Sequence, residues 1–247
     1  MRIGVADYGL NQWYGGCFDL GERLEALRSI GYEGLERLEA ANPADVLERS
    51  LRFRQRDMDF TTCRGPTPEH SIRWTAALGK KYVWAHATAT DFAGYCRQIN
   101  HQAEMAAAYG VQVGVHNHLG QVVESQAQLE EFLRACPTCG IVFDTGHLAA
   151  AGGDCLEIID KYHQRILVIH VKDWLVTDPA IGLEQWHRRG RFTGLGQGNI
   201  GQDNAAVVRA ALTYGYQGWV FVEHDTHLQD PLIDLAASRA YLRAAGV

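Results

Sequence analysis

A chain of 247 residues, 47% hydrophobic and 21% charged, is long enough to bury a large core, as one big domain or two small ones. Its net charge of −6 disfavours a basic nucleic-acid face, and no apolar run reaches the roughly 18 residues that suggest a membrane span. The start, MRIGVADYGL, lacks a secretory pattern and the cysteines are scattered, so the expectation is a cytoplasmic enzyme with a small-molecule substrate and neither a nucleic-acid nor a membrane partner.

Short apolar runs alternate with helical patterns along the whole chain. In order, the sequence predicts strand Ile3–Asp7, helix Leu20–Ile30, strand Gly34–Leu38 and helix Ala44–Gln55. Strand Phe60–Cys63, helix Glu69–Leu78, strand Tyr82–His86 and helix Phe92–Tyr109 follow. The second half reads strand Val111–His116, helix Ser125–Cys136, strand Ile141–Asp144 and helix Cys155–Tyr162. Strand Ile166–His170, helix Asn204–Tyr214, strand Trp219–Glu223 and helix Leu232–Ala244 complete it. Asn42-Pro43, Thr67-Pro68 and Asp230-Pro231 each place a capping residue before a proline at the first helical position. Asp154 with Glu157 reads as a capping box, and Gly31, Gly79, Gly110 and Gly215 each end a helix.

Eight strand–helix units imply a parallel sheet, and the count favours a single (β/α)8 TIM barrel over residues 1–247, with its active site at the C-terminal strand ends. An open doubly wound sheet is the alternative. The long connection Asp173–Asp203 emerges on that same face and reads as a lid or binding loop. Within it, Gly196, Gly198 and Gly201 spell a G-x-G-x-x-G, but RRGR (Arg188–Arg191) lies where a buried first strand should be. A flexible loop is therefore the better reading than a dinucleotide site, and a nicotinamide-dependent reductase is set aside. Cys136-Pro-Thr-Cys139 lies between a helix and a strand and reads as a tight turn, not a redox pair.

Four strands end in metal-type side chains: His116, Asp144, His170 and Glu223. If those strands are parallel neighbours, two imidazoles and two carboxylates converge into a divalent-metal site of borderline hardness. His118 shares the His116 face and could hold substrate or move a proton, and His147 can turn back over the same mouth. Lys172 alternates with His170 and could neutralise an alkoxide, against the alternative of a surface residue at a strand end. Asp144 could instead only cap the next helix. His224 points away from Glu223 by alternation, Asp225 is open, and Trp13, Tyr14, Glu36 and His86 also lie at or beyond strand ends.

VHNHLG, VFDTGHLAAAGGD, VIHVKDW, FTGLGQGNI and GYQGWVFVEHD…QDP together make the chain resemble the xylose-isomerase-like TIM-barrel superfamily. That group includes sugar phosphate isomerases/epimerases, ketose 3-epimerases and inosose dehydratases; the N-terminal half matches in rhythm, with GYEGLE its best local echo. The resemblance implies one divalent cation, manganese ahead of zinc, cobalt, iron(II) or magnesium. Asp144, His170 and Glu223 would be ligands, and His147 matches a substrate-contacting histidine. The epimerases carry Glu on the fifth strand, where this chain has Gly114 and then His116, a form that looks like inosose dehydratases. The implied function is a metal-dependent isomerase or epimerase acting on a keto-sugar or keto-polyol through an enediolate. The alternative is an inosose dehydratase-like lyase, and a non-catalytic sugar-binding or partner subunit comes third; a multi-zinc endonuclease is disfavoured by the acidic balance. Glu223, His147, His118 and Lys172 are the candidate catalytic residues, and His86, Trp13, His118 and His147 the candidate substrate contacts. The partner would be a carbohydrate or cyclitol, and a homo-oligomer is compatible with the sequence.

Overall fold

The computed structural model describes residues 1–247. Eight parallel strands are β1 (Arg2–Val5), β2 (Gly34–Glu39), β3 (Asp59–Arg64), β4 (Tyr82–Trp84), β5 (Gln112–His116), β6 (Gly140–Asp144), β7 (Ile166–Val171) and β10 (Trp219–Val222). Their order, β3-β2-β1-β10-β7-β6-β5-β4, curls the sheet into a nearly closed barrel. At the seam no ladder joins β3 to β4; the Thr61 and Tyr82 hydroxyls meet there at 2.9 Å. Helices α2 (Leu20–Ile30), α3 (Pro43–Gln55), α4 (Pro68–Ala77), α5 (Phe92–Ala107), α6 (Gln126–Ala135), α8 (Cys155–Tyr162), α10 (Asn204–Thr213) and α11 (Pro231–Ala244) make up the outer layer. The arrangement is the single (β/α)8 barrel that the alternation predicts.

The caps work as the sequence predicts: Asn42, Thr67, Asp154 and Asp230 side chains each accept from a first-turn N–H. One detail differs. The reciprocal capping box is at Ser125/Gln128, because the Glu157 carboxylate is drawn off to Lys161 and Gln126. Two one-turn helices escape the sequence reading: α1 (Tyr8–Trp13), which ends β1 at Val5 rather than Asp7, and α7 (Thr145–Ala150). Most of the long connection is also ordered. It holds the antiparallel hairpin β8 (Asp173–Val176) and β9 (Gly190–Thr193), with the short α9 (Trp186–Arg189) between them.

Between sheet and helices lies the main core, including Leu24, Leu27, Ile99, Phe132, Ile141 and Ile158. A smaller cluster of Ala6, Tyr82, Val142, Val168 and Phe221, with Leu167 and Trp219 against it, plugs the barrel's interior. Gly4 makes room for it, since a Cβ there would lie 2.6 Å from the Phe221 ring. The β6–β7 register steps from Ile141↔Ile166 to Val142↔Val168, so Leu167 is an extra residue on β7. This irregularity sets Asp144 directly beside His170. The plug below thus fixes the height and the phase of the polar layer above it.

Candidate active site

That polar layer holds the four strand-end residues. His116 Nε2 is 3.3 Å from Asp144 Oδ2, His170 Nδ1 is 2.7 Å from Glu223 Oε2, and His170 Nδ1 is 3.8 Å from Asp144 Oδ2. Asp144 and His170 are fully buried and Glu223 nearly so. Burying such charges is costly unless each is compensated. Asp144 does two jobs at once: Oδ1 accepts the His147 N–H at the start of α7, and Oδ2 faces the cluster. Asn117, also buried, grips the Asp144 backbone through a reciprocal pair of hydrogen bonds at 2.8 and 2.9 Å.

Lys172 is not a surface residue. It is 1% exposed, and its Nζ sits 3.1 Å from Asp144, 3.4 Å from Glu223 and 3.2 Å from Asp225. Gly146 permits this, because a Cβ there would strike the Lys172 stem. Burial opposes the Asp144 and Glu223 carboxylates, but Lys172 with the neighbouring histidines outweighs it and holds both well below their ordinary pKa values. Burial likewise opposes the Lys172 ammonium, and the three carboxylates outweigh it, so it stays charged. Asp225 is pushed up by burial, which Lys172 only partly offsets.

Glu36, which the sequence reading gave no role, is 1% exposed and belongs to this layer. Its Oε1 accepts from Tyr82 OH at 2.9 Å and Trp84 Nε1 at 2.8 Å, and it lies 3.2 Å from His170 Nε2. Burial disfavours protonated His170, yet Glu36 and Glu223 raise its pKa to about 10. A signal was present: Glu36 lies two residues after Gly34 on β2, in the inward phase of a barrel strand.

His118 and His147 form a pair beside the cluster, their rings 3.7 Å apart. His118 Nδ1 is 2.6 Å from the Leu119 carbonyl, so it donates and leaves the Nε2 lone pair free. His147 Nδ1 accepts the Leu119 N–H, so its proton is on Nε2, which is buried without a partner. Burial, helped by His116, lowers His118 to about 4; burial and Lys172 put His147 well below the ordinary value. Both rings are neutral at pH 7. The hairpin and α9 roof this corner, with Phe192 4.5 Å from His147 and Trp186 6.2 Å from His118. The glycine stretch wraps a carboxylate: Gly196 and Gly198 N–H groups donate to Asp173 Oδ2 at 2.7 and 3.3 Å.

The remaining candidates lie further out. His86 is exposed just beyond β4, on the wall of a groove of about 490 Å³ that it shares with Trp84. Trp13, 47% exposed at the end of α1, makes no ring contact with the cluster. His224 faces away from the cluster and packs on His227, which pairs with Asp234 at 3.0 Å. Cys136 and Cys139 are buried free thiols on either side of a tight turn.

The donor set of His116, Asp144, His170 and Glu223 fits a divalent ion. One ligand atom from each lies within 4.8 Å of all the others. A tetrahedral ion with bonds of about 2.0–2.2 Å needs donors roughly 3.3–3.6 Å apart, so small adjustments suffice. With His170 Nδ1 turned to the cluster, its Nε2–H faces Glu36, the carboxylate–histidine arrangement that orients metal-binding imidazoles.

Comparison with known proteins agrees with this architecture. A family profile described as xylose isomerase-like TIM barrel matches residues 69–245. An inosose dehydratase of Lactiplantibacillus plantarum is 29% identical over 144 residues, 55% of this chain and 46% of that one. This chain thus spans about half the length of the curated relatives it matches. Among solved structures, a probable 3-DHS dehydratase from Bacillus anthracis superposes with a TM-score of 0.75 at 14% identity, over 98% of this chain and 99% of that one. A 3-keto-D-glucoside 4-epimerase from E. coli gives 0.72 at 16% over 99% of both chains. The IOLI protein, solved with a bound zinc atom, gives 0.69 at 15% over 100% of this chain and 97% of that one. At these identities the structural matches speak for the fold alone.

Proposed function

The chain belongs to the xylose isomerase-like TIM-barrel family, and from that premise we propose that it is a divalent-metal-dependent enzyme that enolises a keto-cyclitol or keto-sugar and then expels water. The observation that carries the proposal is the cluster of His116, Asp144, His170 and Glu223 with neutral His118 and His147 beside it. A bound divalent ion supplies Lewis-acid polarisation of the substrate carbonyl, which acidifies the adjacent C–H. Two imidazoles and two carboxylates suit manganese, zinc, cobalt or iron(II), and zinc is the ion held by the IOLI protein.

His118 is the base: its Nε2 is free and its low pKa keeps it unprotonated at neutral pH. His147 Nε2–H, buried without a partner, donates to a substrate oxygen. Lys172, permanently charged among carboxylates, offsets negative charge growing on the substrate. After taking the α-proton, His118 is a strong acid and can return that proton to a departing β-hydroxyl. The products are water and an unsaturated ketone, with no net proton consumed. Epimerisation needs a second proton carrier on the other face. Glu223 is the remaining candidate for that role, but His170 and Lys172 hold it ionised, so it is a poor acid. This puts the lyase outcome ahead of the isomerase or epimerase outcome. The inosose dehydratase relatives support the same order.

The test is a screen of inososes, ketohexoses and 3-keto-glycosides with metal-loaded protein, followed by NMR. An alkene signal with loss of water supports the lyase; an inverted carbinol with no alkene would transfer the assignment to the epimerase reading.

A further inference from the structure

Past Glu223, the loop from β10 into α11 carries a second set of metal-type side chains that the strand-end cluster does not use. They are His224, His227 and Asp234, spaced His-x2-His-x6-Asp. One ligand atom from each lies within 4.8 Å of the other two. His227 Nδ1 is 3.0 Å from Asp234 Oδ2, and the His224 and His227 rings are 4.2 Å apart. His224 is 2% exposed, yet neither of its ring nitrogens has a hydrogen-bond partner. The Thr226 main chain approaches the ring without reaching hydrogen-bonding geometry. A neutral imidazole brings one donor and one acceptor, and leaving both unmet in the interior is costly. The surroundings hold the set in place. Asp234 Oδ1 accepts from Gln229 Nε2 at 2.7 Å, which leaves Oδ2 turned to His227. Helix α1 closes over the loop at Gly9, where a Cβ would strike the His224 carbonyl oxygen and lie 2.5 Å from His227 Nε2. The Tyr14 hydroxyl, just past α1, donates to Asp230 Oδ1 at 3.2 Å and ties down the far end of the loop.

We propose that His224, His227 and Asp234 form a second divalent-metal site, structural rather than catalytic, for a borderline ion such as zinc. Two imidazoles and a carboxylate are donors of that hardness, and three protein ligands leave the fourth tetrahedral position to water. The ion takes a lone pair of the unpartnered His224 and comes between His227 and Asp234, which now share a hydrogen bond. Gln229 then acts from behind as the partner that orients the ligating carboxylate. All three ligands belong to one loop and the first turn of α11, so the bound ion pins the residue next to Glu223 to that helix. It stiffens one wall of the barrel mouth without touching substrate. With three protein ligands against four, this is the weaker of the two sites. Nothing in it depends on the reaction run at the strand-end cluster, from which His224 faces away.

The test is calorimetric titration of chelator-treated protein with zinc chloride, for the parent, His227→Gln, Asp234→Asn, Gln229→Ala and Asp144→Ala. The parent should take up two equivalents, the second more weakly than the first. His227→Gln and Asp234→Asn should keep the first and weaken the second by roughly a hundredfold or more, and loss of the outer partner in Gln229→Ala should weaken it about tenfold. Asp144→Ala should do the reverse, losing the tight equivalent and keeping the weak one. Melting curves separate an ion from a plain hydrogen bond. Zinc beyond the first equivalent should raise the melting temperature of the parent and not that of Asp234→Asn; a lowering in Asp234→Asn that is the same with and without excess zinc would mean that the pair is only a hydrogen bond. Zinc-soaked crystals of the parent need no variant to fold, and their anomalous difference map should show a peak among His224, His227 and Asp234. No peak there while the strand-end cluster shows one, or a second equivalent undiminished in both His227→Gln and Asp234→Asn, overturns the proposal.

Discussion

Replacing Lys172 by Met probes the electrostatic balance of the site most sharply. The Lys172 ammonium is 1% exposed and lies within 3.4 Å of Asp144, Glu223 and Asp225. Methionine fills similar space but leaves the buried Asp144 and Glu223 carboxylates and the half-buried Asp225 facing one another. Breaking one buried ion pair costs about 3–5 kcal/mol, and in a chain of this size each kcal/mol moves Tm by about 2–4 °C. The metal-free variant should therefore melt roughly 6–20 °C below the parent. The pH dependence has a definite sign. Asp144 and Glu223 have lowered native pKa values, so their contribution is present above the ordinary carboxylate pKa and lost as pH falls through the native one. Without Lys172 those values climb, the carboxylates take up protons, and the deficit should be larger at pH 8 than at pH 5. Manganese or zinc replaces the missing positive charge, so added ion should raise Tm more in the variant than in the parent. Calorimetric melts with and without chelator read all three effects. A metal-free variant melting within about 2 °C of the parent at both pH values would mean that Lys172 does not balance these carboxylates.

Asp144→Ala and Glu223→Ala should lose the bound ion by elemental analysis, whereas His118→Ala should keep it; metal loss in His118→Ala with retention in His116→Ala would reverse those two assignments. His170, raised to about 10, is protonated at pH 7 in the metal-free protein, and its stabilising contribution is present below its unfolded pKa and lost as pH rises through about 10. Metal uptake near pH 7 should accordingly release about one proton from this group, measurable by calorimetry in buffers of different ionisation enthalpy, and zero release would count against His170 as a ligand. If His118 is the base, kcat/KM should fall on the acid side with a pKa near 4, and His118→Ala should remove that limb. A limb near 6.5, or one that survives the substitution, would point to another group.

The second half of the barrel was legible because each strand is an apolar run that stops at a ligand-type residue, as in Ile166–Ile169 before His170. Across the whole chain, eight strand-like runs with well-marked helix starts and stops were enough for the fold. The missing pieces are those that leave no periodic trace. α1 and α7 are six residues long, too short for an amphipathic pattern, and β8 and β9 pair across a long excursion. The extra residue at Leu167 is invisible in sequence, because ILVIHV reads equally well with or without a register step. Lys172 and Glu36 were underestimated for a shared reason. A charged residue at a strand end is usually exposed, and only the approach of Asp144, Glu223 and Asp225 to one, and of Tyr82, Trp84 and His170 to the other, makes burial affordable. Asp144 shows that capping a helix and facing the cluster need not be alternatives, since one oxygen serves each.

Enolisation at the His116–Asp144–His170–Glu223 cluster is open to proton NMR of an α-hydroxy-ketone substrate incubated in heavy water. The α-hydrogen should be lost with metal-loaded protein, the loss should stop on chelation and return when the ion is restored, and His118→Ala should slow it while keeping its metal. Loss that is indifferent to chelation, or no loss from any ketone in the screen while the ion is bound, would contradict enolisation at this cluster.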